Sequence, residues 1–430
     1  MRQPTPWAVL LCHWSDDSSK PNDRQFFTDL FTSSGAGSLN MTDYFEDCTH
    51  GTVDMSGSQV FGWLDMGFDR AAYVGNAVPG PGQLDRGSMM AQAKAVASAA
   101  GVDLSQFFGV VVCFNVLTDL FGGIGTCCDP GSFRPALLGQ EMGHDYGLGH
   151  SRREGSTADY EDRWDTMSTW NSCFIAGNAR WTEVGPGLNA WNMRSRGWLD
   201  ESRVWRSSYS SFEEVVELRP LHHRELPGLL AAELPGSRYD QPLLVEFRDV
   251  DRWDAAIPEP TVLVHRFADN HSYVMPGTSG SESLREGDAV QYGSANSNYW
   301  WEPYGRVELL GIDARSRTAR IRLSHRPAVE DPGIGKAPGG RVFGAATVGG
   351  WGWISVNGHV HPVPPHSPLV GVLAQLAIYH AVEPVRNTIA RNAARRSALE
   401  QVLEWSQGEL AEIDELASPP PAVKEPESGY

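Results

Sequence analysis

Leu137-Leu138-Gly139-Gln140-Glu141-Met142-Gly143-His144-Asp145-Tyr146-Gly147-Leu148-Gly149-His150-Ser151 is the stretch on which the reading of this chain turns. Positions four apart share one face of a helix, so Gln140 and His144 point the same way. Glu141 stands beside them. Gly147 is suited to end the helix, because glycine takes up left-handed backbone without a Cβ clash. The chain then turns and brings His150 back toward the same point. Two imidazoles and one amide converge, with a carboxylate next to them. Those are the parts of a divalent metal site that keeps an open position and a general base at its side.

The pattern Glu141-x-x-His144-x-x-Gly147-x-x-His150 resembles the long metal-binding signature of the metzincin metallopeptidases. Among these it is similar to the gametolysin family, some of whose members carry the same Gln-Glu start. The position of the first ligand, histidine in most metzincins, is held here by Gln140. A metzincin also carries a methionine turn beneath the metal, and Asp165-Thr166-Met167-Ser168 matches it. Asp159-Tyr160-Glu161-Asp162 resembles the acidic stretch that leads into this turn. The resemblance covers most of residues 7–200. It implies an α/β (α+β) catalytic domain with Gln140, His144 and His150 as metal ligands, Glu141 as general base, and Gly147 and Met167 as structural supports. It further implies a metalloendopeptidase acting on protein or peptide, in an extracellular setting. Zinc is the metal implied. Copper is the alternative, because an amide in place of an imidazole changes affinity and copper stands higher in the divalent series. An amide oxygen is also a weaker ligand than imidazole, so a second reading stays open: an inactive, protease-like binding protein.

Composition bounds these readings. The chain has 430 residues, 41% apolar and 20% charged, as in an ordinary globular protein of two or three domains. Its formal net charge is −18, from 35 basic and 53 acidic side chains, which disfavours nucleic acid and anionic membrane as partners. No stretch has the apolar length of a transmembrane helix. Trp7 to Cys12 is too short for a signal-peptide core and is followed by His13, Trp14 and acidic residues, so no signal peptide is visible. Either the protein stays inside the cell or a leader lies outside this sequence. The cysteines, Cys12, Cys48, Cys113, Cys127, Cys128 and Cys173, form no C-x-x-C pair, which argues against a zinc knuckle. Two readings of them remain, disulfides of a secreted enzyme or buried free thiols.

Along the first 202 residues, Trp7 to Cys12 and Gly109 to Val116 are continuous apolar runs that predict buried strands. Asn22 or Asp23 and Asp85 are positioned to cap helices with apolar faces at Phe26, Phe27, Leu30 and Phe31 and at Met89, Met90, Ala93, Val96 and Ala97. Residues 52–66 hold two short extended runs about Gly57-Ser58 and predict a hairpin. Gly122 to Thr126 falls where metzincins hold extended substrate by strand addition. A mobile glycine-rich loop is the alternative. A helix from Asn189 and the segment Gly197-Trp198-Leu199 resemble the end of the family's catalytic domain, which places a boundary at 202.

Residues 203–325 change to recurring short extended runs, and turn spacing predicts a β-sandwich. His265 looks like a ligand in isolation. Alternation puts it on the face of Leu263, opposite Val262 and Val264, which favours a structural role. The loop 268–303, with Tyr299, Trp300 and Trp301 and with Tyr304 after it, is an aromatic cluster suited either to ligand binding or to packing on the sandwich. The binding-protein alternative would act through this loop and the sandwich. Residues 326–368 read as a Pro/Gly-rich linker with a hairpin about Asn357-Gly358. The histidines His359, His361 and His366 near that hairpin lack a carboxylate or Cys to complete a metal site, which favours a solvated hairpin. Residues 369–416 predict C-terminal helices with an apolar stripe fit for docking or self-association, and 417–430 a disordered tail.

Overall fold

The computed structural model describes residues 3–169, 174–209, 211–236, 241–293 and 304–326, together with four backbone strands between 335 and 363. The aromatic residues 299–301, Cys173, His366, the turn 357–358 and everything from 364 onward, including the C-terminal helices and tail, lie outside the described residues.

Four parallel strands form the first sheet: β1 (Trp7–His13), β2 (Gln59–Asp65), β3 (Gly109–Phe114) and β4 (Thr126–Cys128), in the order β2-β1-β3-β4. A parallel sheet covered on both faces needs strands that are apolar on both faces, which is what the unbroken runs in β1 and β3 supply. Trp7, Val9 and Leu11 face a core shared with α1 (Arg24–Phe31), α2 (Met41–Cys48) and α4 (Pro135–Asp145). Ala8, Leu10 and Cys12 face Met89, Met90, Ala93 and Ala97 of α3 (Arg86–Ala99). Full burial of each large side chain here contributes on the order of 1.5–3 kcal/mol. Asp23 caps α1, Asp85 caps α3 in a reciprocal pair with Ser88, and Asn40 caps α2 in a second such pair with Asp43.

One expectation is corrected. Residues 52–66 do not form a hairpin. Val53–Asp54 pairs in parallel with Gln3–Pro4, and β2 pairs in parallel with β1. Local alternation identified the strands, but the open edge of β1 decided the partner. The α2 helix has only a weak local signal. Its signal, Asn40 and Asp43 before Tyr44, Phe45 and Cys48, spans only two turns.

Beyond residue 203 the chain builds two further sheets. The first takes, in chain order, β5 (Arg152–Arg153), β6 (Val204–Trp205), β8 (Ala231–Leu234), β9 (Leu243–Arg248), β10 (Thr261–Ala268) and β11 (His271–Val274), arranged β6-β8-β9-β10-β11-β5. The second takes β7 (Phe212–Leu218), β12 (Ala289–Tyr292), β13 (Tyr304–Asp313) and β14 (Thr318–Arg326), arranged β7-β14-β13-β12. Val245, Phe247, Val262 and Val264 meet Val216, Leu218, Val307, Ile321 and Leu323 in the core between them. The opposite face of the six-stranded sheet, with Ala231 and Leu244, joins the core of α2 and α4. Residues on both sides of position 202 thus lie in one compact unit, and β5 comes from the helix-bearing part. The boundary read there marks a change of architecture and not a break in packing.

His265 is fully buried on that opposite face, with its Nε2 2.9 Å from Asp162 Oδ2. The described strands after residue 326 fall in a second unit. These strands, β15 (Gly335–Lys336), β16 (Val342–Val348), β17 (Trp351–Val356) and β18 (His359–Val363), pair antiparallel in that order. Among the described residues no helix is long and apolar enough to cross a membrane. The five described cysteines are buried free thiols, and Cys113 and Cys128 lie with their sulfurs 3.3 Å apart.

Candidate metal centre and cleft

Pro135 opens α4 at the position where a missing N–H costs nothing. The helix ends in paired capping bonds, Gly147 N–H to His144 O at 2.8 Å and Leu148 N–H to Gly143 O at 3.0 Å. Gly147 has φ +86°, a conformation that strains any residue with a Cβ. This abrupt stop lets the chain double back and set His150 beside His144, with ring centroids 4.6 Å apart and planes at 81°.

Each imidazole is oriented from behind. His144 Nδ1 lies 2.9 Å from Leu148 O; a carbonyl only accepts, so Nδ1 carries a proton and Nε2 is the nitrogen left for a ligand. His150 Nδ1 lies 3.0 Å from Asp159 Oδ2, with the same consequence. Asp159 also accepts from Arg152 Nε at 2.8 Å. Burial alone would raise the Asp159 carboxyl; the bonds from His150 and Arg152 outweigh it, and the group stays ionised below its usual range. Burial lowers the His150 pKa despite Asp159, which keeps the ring neutral. Imidazoles oriented through Nδ1 by a carbonyl and a carboxylate are the donors a divalent transition metal takes, so these two residues fit one.

Gln140 is placed differently. It is 3% exposed, its Oε1 accepts the Thr169 N–H at 3.0 Å, and its Nε2 donates to Glu141 Oε1 at 3.1 Å. Both neighbours fix the amide orientation, since an N–H must meet the oxygen and a carboxylate must meet the nitrogen. One lone pair of the candidate ligand atom is therefore already engaged by the methionine turn. Among the described residues no three His, Cys, Asp or Glu side chains are grouped to hold a metal. The set is two imidazoles, with the amide and Glu141 beside them. Glu141 is 7% exposed, and burial raises its pKa against the opposing pull of His144 and Gln140.

Met167 is fully buried in the same core as Leu138, Met142 and Leu148. Asp165 builds its turn, accepting from Met167 N at 2.7 Å, Ser151 Oγ at 3.1 Å and Asn192 Nδ2 at 3.1 Å. Ser151 N–H in turn donates to Met167 O at 3.2 Å, which ties the residue after His150 to the turn.

Gln140, Glu141, His144, Gly147 and His150 all line one cleft of about 770 Å³. Its walls add Arg86, Asp119, Phe121 and Asn270, which the sequence did not single out, and Tyr160 of the acidic stretch. Arg86 is held on Asp119 by two bonds of 2.8 and 2.9 Å. The Tyr160 ring packs on His150 at 4.1 Å between centroids, and burial, then Glu141, raises its pKa. The glycine-rich stretch is tied down, because Asp145 accepts from Gly123 N, Gly125 N and Thr126 Oγ1 at 2.7–2.8 Å. Phe121 makes an antiparallel bridge to Cys127, so this wall follows the edge of the first sheet. Asp159 and Tyr160 carry a sequence signal, as parts of the acidic stretch.

No protein-family model matches the chain, and no curated protein matches it.

Proposed function

We propose that the protein is a metal-dependent endopeptidase of metzincin type, similar to the gametolysins, with its site in the cleft between α4 and Asn270. The observation that carries this reading is the convergence of His144, His150 and Glu141 on one cleft, with each imidazole oriented through its Nδ1 by a separate acceptor. His144 and His150 would hold the ion, zinc with copper as the alternative, and Gln140 sits in the third position of the family's set. When bound, the ion supplies Lewis acidity toward water and the scissile carbonyl. Glu141 takes a proton from the attacking water and returns it to the leaving amine, a task suited to a carboxyl whose pKa is raised by burial. Phe121 and the Gly122-Gly123 backbone offer one wall along which an extended peptide lies. Asp159 and Leu148 O hold the imidazoles in their working tautomer throughout.

The test is metal content of protein purified without added metal, combined with cleavage of an unfolded protein substrate by the parent and by Glu141→Ala. About one ion per chain, lost in His144→Ala and His150→Ala, with cleavage that disappears in Glu141→Ala, is the expected result. A metal-free protein that cleaves nothing would instead favour the alternative, a protease-like binding protein.

A further inference from the structure

The hairpin joining β10 to β11 does not stop at the sandwich. Asp269 and Asn270 form its turn with φ of +51° and +63°, and the turn reaches the loop that carries His150. His271 Nδ1 lies 2.7 Å from His150 O, and since the carbonyl accepts, the ring donates. Asn270 Nδ2 donates to Gly147 O at 3.1 Å, and Asn270 Oδ1 accepts from Arg196 at 3.2 Å. A methyl group on Gly149 would lie 2.3 Å from Asn270 O, so the two backbones are as close as they can be. Beyond His150 the chain enters the sheet itself: Arg152 and Arg153 pair with Tyr273 and Val274, and Glu154 N–H donates to Val274 O at 2.9 Å. Arg152, which also holds Asp159, reaches Tyr273 Oη at 3.3 Å. The segment from Gly147 to Glu154 is thus held at both ends by the Asn270 turn and β11, and Asn270 lines the same cleft as Phe121.

We infer that Asn270 is a positioning residue for the His150 loop and a substrate-facing wall of the cleft, so that the sandwich is a working part of the site and not an accessory. The activity arm of the test rests on the peptidase reading; the structural arm does not. Asn270→Gly is the informative variant. Glycine keeps the left-handed turn without strain and deletes both side-chain bonds. Asn270→Asp is its conservative partner, retaining the turn and the acceptor for Arg196 while losing the donor to Gly147.

Amide exchange of residues 147–154 in the full chain is read first. Loss of two modest hydrogen bonds should speed exchange there roughly tenfold, with β1 and β3 unchanged. Zn²⁺ affinity, read by competition with a chelator, should fall in Asn270→Gly and in Asn270→Asp alike, since both lose the donor to Gly147. With a peptide substrate, KM should rise more than kcat falls, because a wall acts on binding. Unchanged exchange at 147–154 with unchanged Zn²⁺ affinity overturns the inference whether or not the parent cleaves peptides. A parent that binds Zn²⁺ but cleaves nothing, with exchange accelerated as expected, removes the peptidase reading and leaves the positioning role standing.

Discussion

Replacing Gln140 by alanine separates two roles that the family resemblance treats as one. As a ligand, Gln140 would contribute its amide oxygen to the ion. As a strut, it joins Glu141 to the methionine turn through the two bonds described above, at 3.0 and 3.1 Å. The bond to the Thr169 amide is a neutral pair worth about 1 kcal/mol, and the bond to the Glu141 carboxylate is charge-assisted and worth about 1.5–3 kcal/mol. Gln140→Ala should therefore lower the unfolding free energy by roughly 2–4 kcal/mol, read by denaturant titration in chelator so that metal does not contribute. Metal affinity, read by competition with a chelator of known strength, should change by less than about threefold, well under the 1.4 kcal/mol that a tenfold change represents. Gln140→His should tighten binding, since it adds a third imidazole to His144 and His150, while peptidase activity rises less or falls because Glu141 loses its donor. A loss of metal affinity above about tenfold in Gln140→Ala, with little loss of stability in chelator, would refute the strut and establish Gln140 as a ligand.

Asp159→Ala should weaken metal binding by about 10- to 100-fold while leaving the fold intact, because it removes the acceptor that orients His150; chelator competition and far-UV circular dichroism check both halves. Glu141→Ala should retain the metal and lose about 10² to 10⁴ in peptide hydrolysis, and unchanged turnover would remove Glu141 from the mechanism. Deleting residues 369–430 should leave metal binding unaltered, since the residues lining the cleft fall between Arg86 and Asn270; an unfolded apo product would show otherwise. His265 supplies a pH dependence. Burial opposes its charge, but Glu246 and Asp162 outweigh burial and raise its pKa, with Asp165 adding to them. A histidine raised on folding contributes stability that is fully present below its unfolded value of about 6.5 and is lost as pH rises through the folded value. Melting temperature followed from about pH 5.5 to about pH 9 should thus fall more steeply for the parent than for His265→Gln, and parallel profiles would count against a charged His265.

The parts of this molecule that could be read from sequence are those whose cause is local. The strands at Trp7 and Gly109 are written in unbroken apolar runs. Asp23 and Asp85 sit just ahead of amphipathic stretches. Gly147 stands three residues after His144, where only a turn returns the next histidine to the helix. The six runs between 215 and 323 alternate and recur, and Val262 and Val264 could be separated from Leu263 and His265 by parity alone. What could not be read depends on partners distant in the chain. Nothing near Gln59 says that its strand lies parallel to Trp7 and not against Val53. Gln140 reads as a ligand from its helix position, and only the approach of the Thr169 amide shows that its oxygen has another claimant.

The same holds for the interface between the first 202 residues and the six-stranded sheet. Glu246 and Arg248 look like solvent-facing residues of a strand, yet both are buried. Arg248 pairs with Glu246 and Asp254 at 2.8 Å, Glu246 accepts from the N-terminal amide of α5 (Ala190–Ser195), and His265 meets Asp162. A charged cluster of this kind is weak as a source of stability, because desolvation offsets most of the attraction. Its geometry is nonetheless demanding, since a buried charge displaced from its partner is costly. Asp162 and Asp165 are the two ends of the same short turn, one bonded to His265 of the sheet and the other to Met167, Ser151 and Asn192 beneath the cleft. The cluster therefore fixes the methionine turn relative to β9 and β10, and β10 leads directly into the Asn270 turn. Two routes, one through Asp162 and His265 and one through Asn270, place the His150 loop against the same sheet.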